Sequence, residues 1–334
     1  MNKTKQPNKE DNQSVIKLGF LVKKPGMLSL IQDAGRVGAN NIGLTNGGPI
    51  DKPAFYWANR LLENKENTSV IEISIGGLVL IAQYDSQIAV TGAPFPFTIN
   101  GQAKELWRSY SIKAGDIIAF GFVRIGLRCY LAIKNGFDIP LTFGSTSTVC
   151  REHIGGLSGN KLQINDIVPY NEVKSDKPLC KTKQLQLAEK DRPTYNKEAV
   201  LRTVASYQQH HFSSAQHDLF YSSEYRVSKN FDRMGYRLNG PTVKADINGI
   251  LSEGICHGAI QIPSDGQPIV LLNDRQTIGG YPQIGAVISI DTAKLGQLNQ
   301  GDKIHFTKIS IEEAQDIFHS HHNLLNQTKL ITCD

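Results

Sequence analysis

Between about residue 15 and residue 170 the chain breaks into short apolar runs separated by Gly, Asn, Asp and Pro. VIEISIGGLVLIA (70–82), QIAVTG (87–92), FTINGQ (97–102), DIIAFGFV (116–123) and LRCYLAI (127–133) are the clearest of them. Val, Ile, Phe and Tyr pack well on a pleated surface, and the turn residues stop each run before a long helix could form. Such a rhythm folds into a barrel or a sandwich. It pauses at 171–194, a charged stretch poor in large apolar clusters, and resumes at VLRTVAS (200–206). A chain of 334 residues favours two domains. The expected organisation is therefore a disordered polar arm at 1–14, a first β module at 15–170, a linker at 171–194, a second β module at 195–318 and a C-terminal tail at 319–334.

A few helices interrupt the strands. DKPAFYWANRLLEN (51–64) has Asp51 at a cap position and Pro53 in the first turn, and Ala54, Trp57, Ala58, Leu61 and Leu62 recur on one face. SSAQHDLFYSSEY (213–225) reads as a short helix. Ser310 followed by Glu313 is a capping box opening a helix through 325. KAGDIIAF, QINDIVPY and NQGDKIHF share a turn ending in Asp and then a strand, which suggests related β modules rather than a solenoid.

Three polar stretches could carry chemistry. QDAGRVGANNIGLTNGGPID (32–51) is a long loop, and long loops in compact domains are often functional. Its Gly47-Gly48 pair before a helix could offer N–H groups to an anion. FDRMGYRLNGP (231–241) sets Arg233 and Arg237 four residues apart on one face, and guanidinium forks suit a carboxylate or phosphate. QIPSDGQPIVLLNDRQTIGGYP (261–282) supplies amide, carboxylate and hydroxyl groups beside Gly279 and Gly280, whose expected use is φ > 0 and close backbone approach. Surface loops and salt bridges explain each stretch equally well.

The net charge of +5 is spread along the chain, unlike the basic stripe of a nucleic-acid binder. Five scattered cysteines form neither a disulfide framework nor a zinc pair, and the clustered histidines lack zinc spacing, so no metal site is expected. The polar N-terminus has no apolar core of a secretory leader, and no apolar run reaches a membrane span. A cytoplasmic protein is expected. Phosphate-loop, dinucleotide and nucleophile-elbow motifs do not occur.

Longer motifs add a resemblance. PGMLSLIQDAGRVG, GGPIDKPAFYWANRLLEN, GLRCYLAIKNGFDIPLTFGSTST and GGLSGNKL, then FDRMGYRLNGP, SEGICHGAIQIPSDGQPIVLLNDRQTIGGYP and AVISIDTAKLGQLNQGDKI, together resemble the biotin-dependent carboxyltransferase-like family. That family includes the C-type subunit of 5-oxoprolinase, allophanate-hydrolase subunit-2-like proteins, the carboxyltransferase region of urea carboxylase and an antagonist of a sporulation-kinase inhibitor. The resemblance implies a mainly β fold with a few helices, built as two cyclophilin-like β-barrel modules in tandem. It implies one member of a hetero-oligomer that opens 5-oxo-L-proline to L-glutamate. A B-type subunit shares lactam phosphorylation, an A-type subunit opens the ring, and ATP with Mg is the co-substrate of the complex.

Carried onto this chain, the resemblance implies Arg233, Arg237, Asp265 and Asp274 as catalytic. Gln32, Asp33, Arg36, Gly47, Gly48, Asp51, Gln261, Gln276, Thr277, Gly279, Gly280 and Tyr281 become substrate- or nucleotide-binding. Ile278 stands where the family has a second Thr, and Asn135-Gly136 where it has a glycine pair. Two alternatives stay open: carboxyl transfer to urea or a related amide, with biotin on another protein, and a non-catalytic regulator of a kinase inhibitor.

Overall fold

The computed structural model describes residues 18–172 and 183–333. The expected arm at 1–14 and the centre of the expected linker lie outside the described residues. The first half forms two antiparallel sheets. One runs in the order Ile167–Pro169, Gly19–Pro25, Leu78–Ala82, Ile117–Phe120, Phe97–Ile99 and Gln102–Ala103. The other begins with Leu28–Gln32, Val70–Ser74, Arg128–Ile133, Ser86–Gly92 and Arg108–Ile112. Phe20, Val22, Ile71, Ile73, Leu80, Val90, Phe120 and Leu131 are packed between them.

Helix α1 (Lys52–Arg60) covers the outer face of the second sheet. Asp51 caps it by accepting a hydrogen bond from the Ala54 N–H at 3.0 Å, and Pro53 sits in its first turn. Its Ala54, Trp57 and Ala58 pack on Val70, Ala89, Tyr130 and Ala132. Both faces of Val70–Ser74 are therefore covered, which explains the near-continuous apolar run in that strand.

The second half is a closed barrel. Its order is Glu198–Ala205, Gln283–Val287, Ala259–Gln261, Ile269–Leu271, Gly235–Asn239, Tyr225–Phe231 and Lys303–Ile309, and the last strand returns parallel to the first. Leu201, Tyr236, Leu238, Ile260, Val270 and Phe306 fill it. Phe220 of α2 (Ser214–Ser222) reaches the same core. So does Ile50 of the first half, against which α3 (Ser289–Leu295) is followed by Gly296. A Cβ on Gly296 would lie 2.0 Å from Ile50 Cγ2, so only glycine allows that approach.

One barrel of the expected pair is thus observed, whereas the first-half strands lie in two open sheets. Alternation tells which face of a strand is buried, but not whether a sheet closes on itself. The segment after the undescribed residues is also more than a connector. Gln184–Gln186 adds to the second sheet beside Arg108–Ile112. The helix anticipated from the Ser310–Glu313 box through 325 is α4 (Ile311–Gln327), which takes in the first part of the expected tail, and a strand Ile331–Cys333 beyond it pairs with Gln184–Gln186. Among the described residues no helix is long and apolar enough to cross a membrane.

The three Asp turns share one geometry. Asp116, Asp166 and Asp302 each accept a hydrogen bond from the backbone N–H three residues earlier, at 2.8, 2.7 and 2.8 Å. Each carboxylate closes its own turn and launches the strand that follows.

Candidate functional site

The polar loops of the sequence separate into three places. The first is a knot inside the first half. Asp33 Oδ1 accepts from Ser145 and Ser147 hydroxyls at 2.6 and 2.7 Å and from the Gly35 N–H at 2.9 Å; Oδ2 accepts from the Thr146 N–H at 2.7 Å. Burial opposes its charge, yet these bonds hold the carboxyl below its ordinary value. Arg36, fully buried, donates to the Thr142 and Ser147 carbonyls, each at 3.0 Å. Gln32 donates to the Thr148 carbonyl and accepts from the Gly48 N–H, each at 2.9 Å. That N–H is therefore committed within the chain rather than presented to an anion.

The second place is the seam between the halves. Arg233 forks onto Asp274, with Nε and Nη2 donating at 2.9 and 3.0 Å. Its Nη2 also donates to the Gly48 carbonyl at 2.7 Å, and Nη1 to Glu72. Burial opposes the Arg233 charge, but Asp274 and Glu72 outweigh it and hold its pKa above the ordinary value. Glu72 lies below its ordinary value because Arg233 and Arg128 overcome its own burial. Asp51, whose pKa is raised by burial, accepts from Gln297 at 2.7 Å and from Tyr195 at 3.1 Å. Asn273 donates to the Gly47 and Pro49 carbonyls at 3.0 and 3.1 Å. Gly47 and Gly48, at φ 61° and 87°, thus turn their carbonyls towards the barrel.

The third place is an open groove of about 510 Å³ on the barrel. It brings together Arg237, Gln261, Gln276 and Tyr281, alongside Lys229 and Asp232. Arg237 pairs with Asp265 at the surface. Gln261 is buried, and its Nε2 has no hydrogen-bond partner among the described residues. A buried amide donor left unpaired is costly.

Gly279 and Gly280 do not adopt the positive φ expected of them. Gly279 is needed for space: a Cβ there would meet Ile255 Cδ1 at 2.5 Å and Gln261 Nε2 at 2.9 Å. The Gly280 and Thr277 carbonyls accept from Ile250 and Ile255 N–H groups at 2.8 and 3.0 Å, which fixes the loop on Ile250–Ile255. Ile278 points outward and is 60% exposed, so its exchange for Thr alters the surface and not the groove wall.

The expected residues therefore fall into three groups, of which the knot and the seam meet at Gly48. Arg237, Gln261, Gln276 and Tyr281 meet at the groove, with Asp265 beside Arg237. Arg233, Asp274, Gly47, Gly48 and Asp51 belong to the seam, and Gln32, Asp33 and Arg36 to the knot. Sequence reasoning missed Glu72, Arg128, Asn273 and Gln297. A lone Glu within VIEIS was the available signal for the first, because a charge in a strand buried on both faces needs a partner.

The model of the carboxyltransferase domain, subdomains A and B, matches residues 42–308. The chain belongs to that family. Carboxyltransferase-domain relatives include the C-type subunit of 5-oxoprolinase from Escherichia coli, 36% identical over 87% of this chain and 91% of that protein. The urea amidolyase of Saccharomyces cerevisiae is 30% identical over 88% of this chain but 17% of its own length. Among solved structures, urea carboxylase of Kluyveromyces lactis superposes with a TM-score of 0.86 at 28% identity, covering 94% of this chain and 29% of that one. The carboxyltransferase-domain match ends before α4, so the helix and strand that return to the first half lie outside it.

Proposed function

We propose that the chain is the C-type subunit of an ATP-dependent 5-oxoprolinase, acting with B-type and A-type subunits. The observation that carries this reading is its 36% identity to the C-type subunit of a 5-oxoprolinase across 91% of that protein's length. The groove suits the substrate: a lactam carbonyl is an acceptor of the kind that the uncommitted Gln261 Nε2 lacks. A donor fixed on the lactam oxygen orients it to take the γ-phosphoryl group of ATP with release of ADP, and the phosphorylated oxygen then leaves as phosphate when the ring opens. ATP and magnesium act as co-substrates of the assembled complex, and the reading assigns magnesium no ligand from this chain.

The test is co-expression with the two partner subunits and measurement of 5-oxoproline-dependent ATP hydrolysis. Turnover that requires this chain supports the reading; turnover independent of it, or none with any combination, rejects it. Carboxyl transfer to urea is the second reading, favoured by the likeness to urea carboxylase over 94% of this chain. Urea also presents an amide carbonyl to Gln261. Activity that demands urea and an added biotin carrier would select it.

A further inference from the structure

Helix α4 is amphipathic yet poorly seated. Ala314, Ile317, Phe318, His321 and Leu325 recur at helical spacing on one face, but no residue of the helix is buried and Phe318 is 52% exposed. Its C-terminal end is tied down: Arg60 of α1 donates to the Asn326 and Thr328 carbonyls at 3.2 and 2.7 Å, and to that of Leu325. Before these bonds the helix faces a gap. A cavity of about 290 Å³ lies between its Phe318, His321 and Leu325, Phe55 of α1 and Ile290 of α3. An apolar stripe facing a void forfeits the contacts that normally hold such a helix.

Two polar groups line the same cavity with no hydrogen bond or ion pair among the described residues: the Lys52 ammonium and the His321 ring. Lys52 is accessible to solvent, yet enough protein surrounds its ammonium to lower its pKa, through burial first and the Arg275 charge second. The His321 pKa is lowered too, by burial first and Arg202 next, so the ring is uncharged near neutral pH and donates through one nitrogen. Glu66, the carboxylate on the wall, is exposed and makes no ion pair with Lys52. A second cavity of about 430 Å³ adjoins through Pro53, Ile290 and His321, but its Lys294 is already held by Asp291 at 2.8 Å. The uncommitted cation therefore belongs to the smaller cavity, against its apolar walls. Such a lining suits a monoanion with an apolar body. A compact charge meets one ammonium and a neutral imidazole, and hydrocarbon restores the contacts that Phe318 lacks. A doubly charged phosphate would lose its hydration to apolar walls and find one cation in return.

We propose that the cavity beneath α4 is a binding site for a small apolar carboxylic acid, with its carboxylate on Lys52 and His321 and its hydrocarbon body between Phe55 and Phe318. The roof of this site lies beyond the carboxyltransferase-domain match, and the cavity shares no lining residue with the barrel groove. It does not depend on the reaction proposed above.

The full chain is titrated by calorimetry with hydrocinnamate, its neutral amide and inorganic phosphate, and amide hydrogen exchange in α4 is followed with and without ligand. Hydrocinnamate should bind about tenfold more tightly than the amide and slow exchange in α4; phosphate should not bind. Lys52→Met removes the charge and keeps an apolar stem. It should weaken the carboxylate about tenfold and leave the amide unchanged. Phe318→Ala should weaken both. Lys52 has no ion pair to lose and Phe318 is half exposed, so both variants should unfold at the temperature of the parent chain, which separates a lost site from a lost fold. No binding of hydrocinnamate, equal binding of acid and amide, undiminished affinity in Lys52→Met, or unchanged exchange in α4 would overturn the proposal. So would phosphate binding as tightly as the acid. Failure of turnover in the reconstituted complex bears on the proposed reaction and leaves this result standing.

Discussion

Arg233 and Arg237 lie four residues apart in one motif, yet they serve regions with opposite requirements. At the seam Arg233 is matched: it meets Asp274, Glu72 and a carbonyl, all away from water. In the groove Arg237 shares an ion pair at the surface, and beside it Gln261 keeps a buried donor unmatched. The difference teaches that a dense polar motif can build a joint as well as a site. What each arginine is paired with, and how far from water, tells them apart.

The sharpest way to break this comparison is Arg233→Ala. It would leave Asp274 buried without its cation and Glu72 with Arg128 alone, and should cost about 3–5 kcal/mol in chemical denaturation. A loss under ~1 kcal/mol would mean that Arg233 does not join the halves. Next comes acid. Glu72 and Asp33 titrate below their ordinary values in the folded chain, so their stabilisation is complete above the usual carboxylate range. It is lost as pH falls through the depressed folded values. Midpoints of thermal unfolding should therefore drop steeply below about pH 4.5, and Glu72→Gln should flatten that limb.

On the groove side, Gln261→Leu removes the donor while nearly conserving volume. In the reconstituted complex kcat/KM should fall about tenfold, equivalent to ~1.4 kcal/mol, with stability little changed. Equal activity would remove Gln261 from substrate contact. The smallest effect is expected from Arg237→Ala, whose half-exposed ion pair should be worth no more than ~1 kcal/mol of stability. A larger loss in denaturation would place Arg237 among the structural arginines after all.

Much of the fold was legible because it rests on local signals. Alternating apolar runs mark the strands, Asp51 and Ser310 mark helix starts, and three aspartates close three equivalent turns. What was not legible depends on distant partners. Nothing near Arg233 in sequence announces Glu72, and nothing near Asp51 announces Gln297. Whether the strands of the first half would close into a barrel depended on which edges meet, a property of the assembled sheets. Gly279 was noticed for its flexibility, whereas its role is to leave room for Ile255 and Gln261.

The pairing of Gln184–Gln186 with Ile331–Cys333 has a mechanical consequence. The chain leaves for the barrel and returns from it on neighbouring strands of one sheet, so this clasp closes the long loop of chain that the barrel forms and adds a second hold to the Arg233 seam. Peeling off the last strand would open that loop and leave the seam to carry the barrel alone.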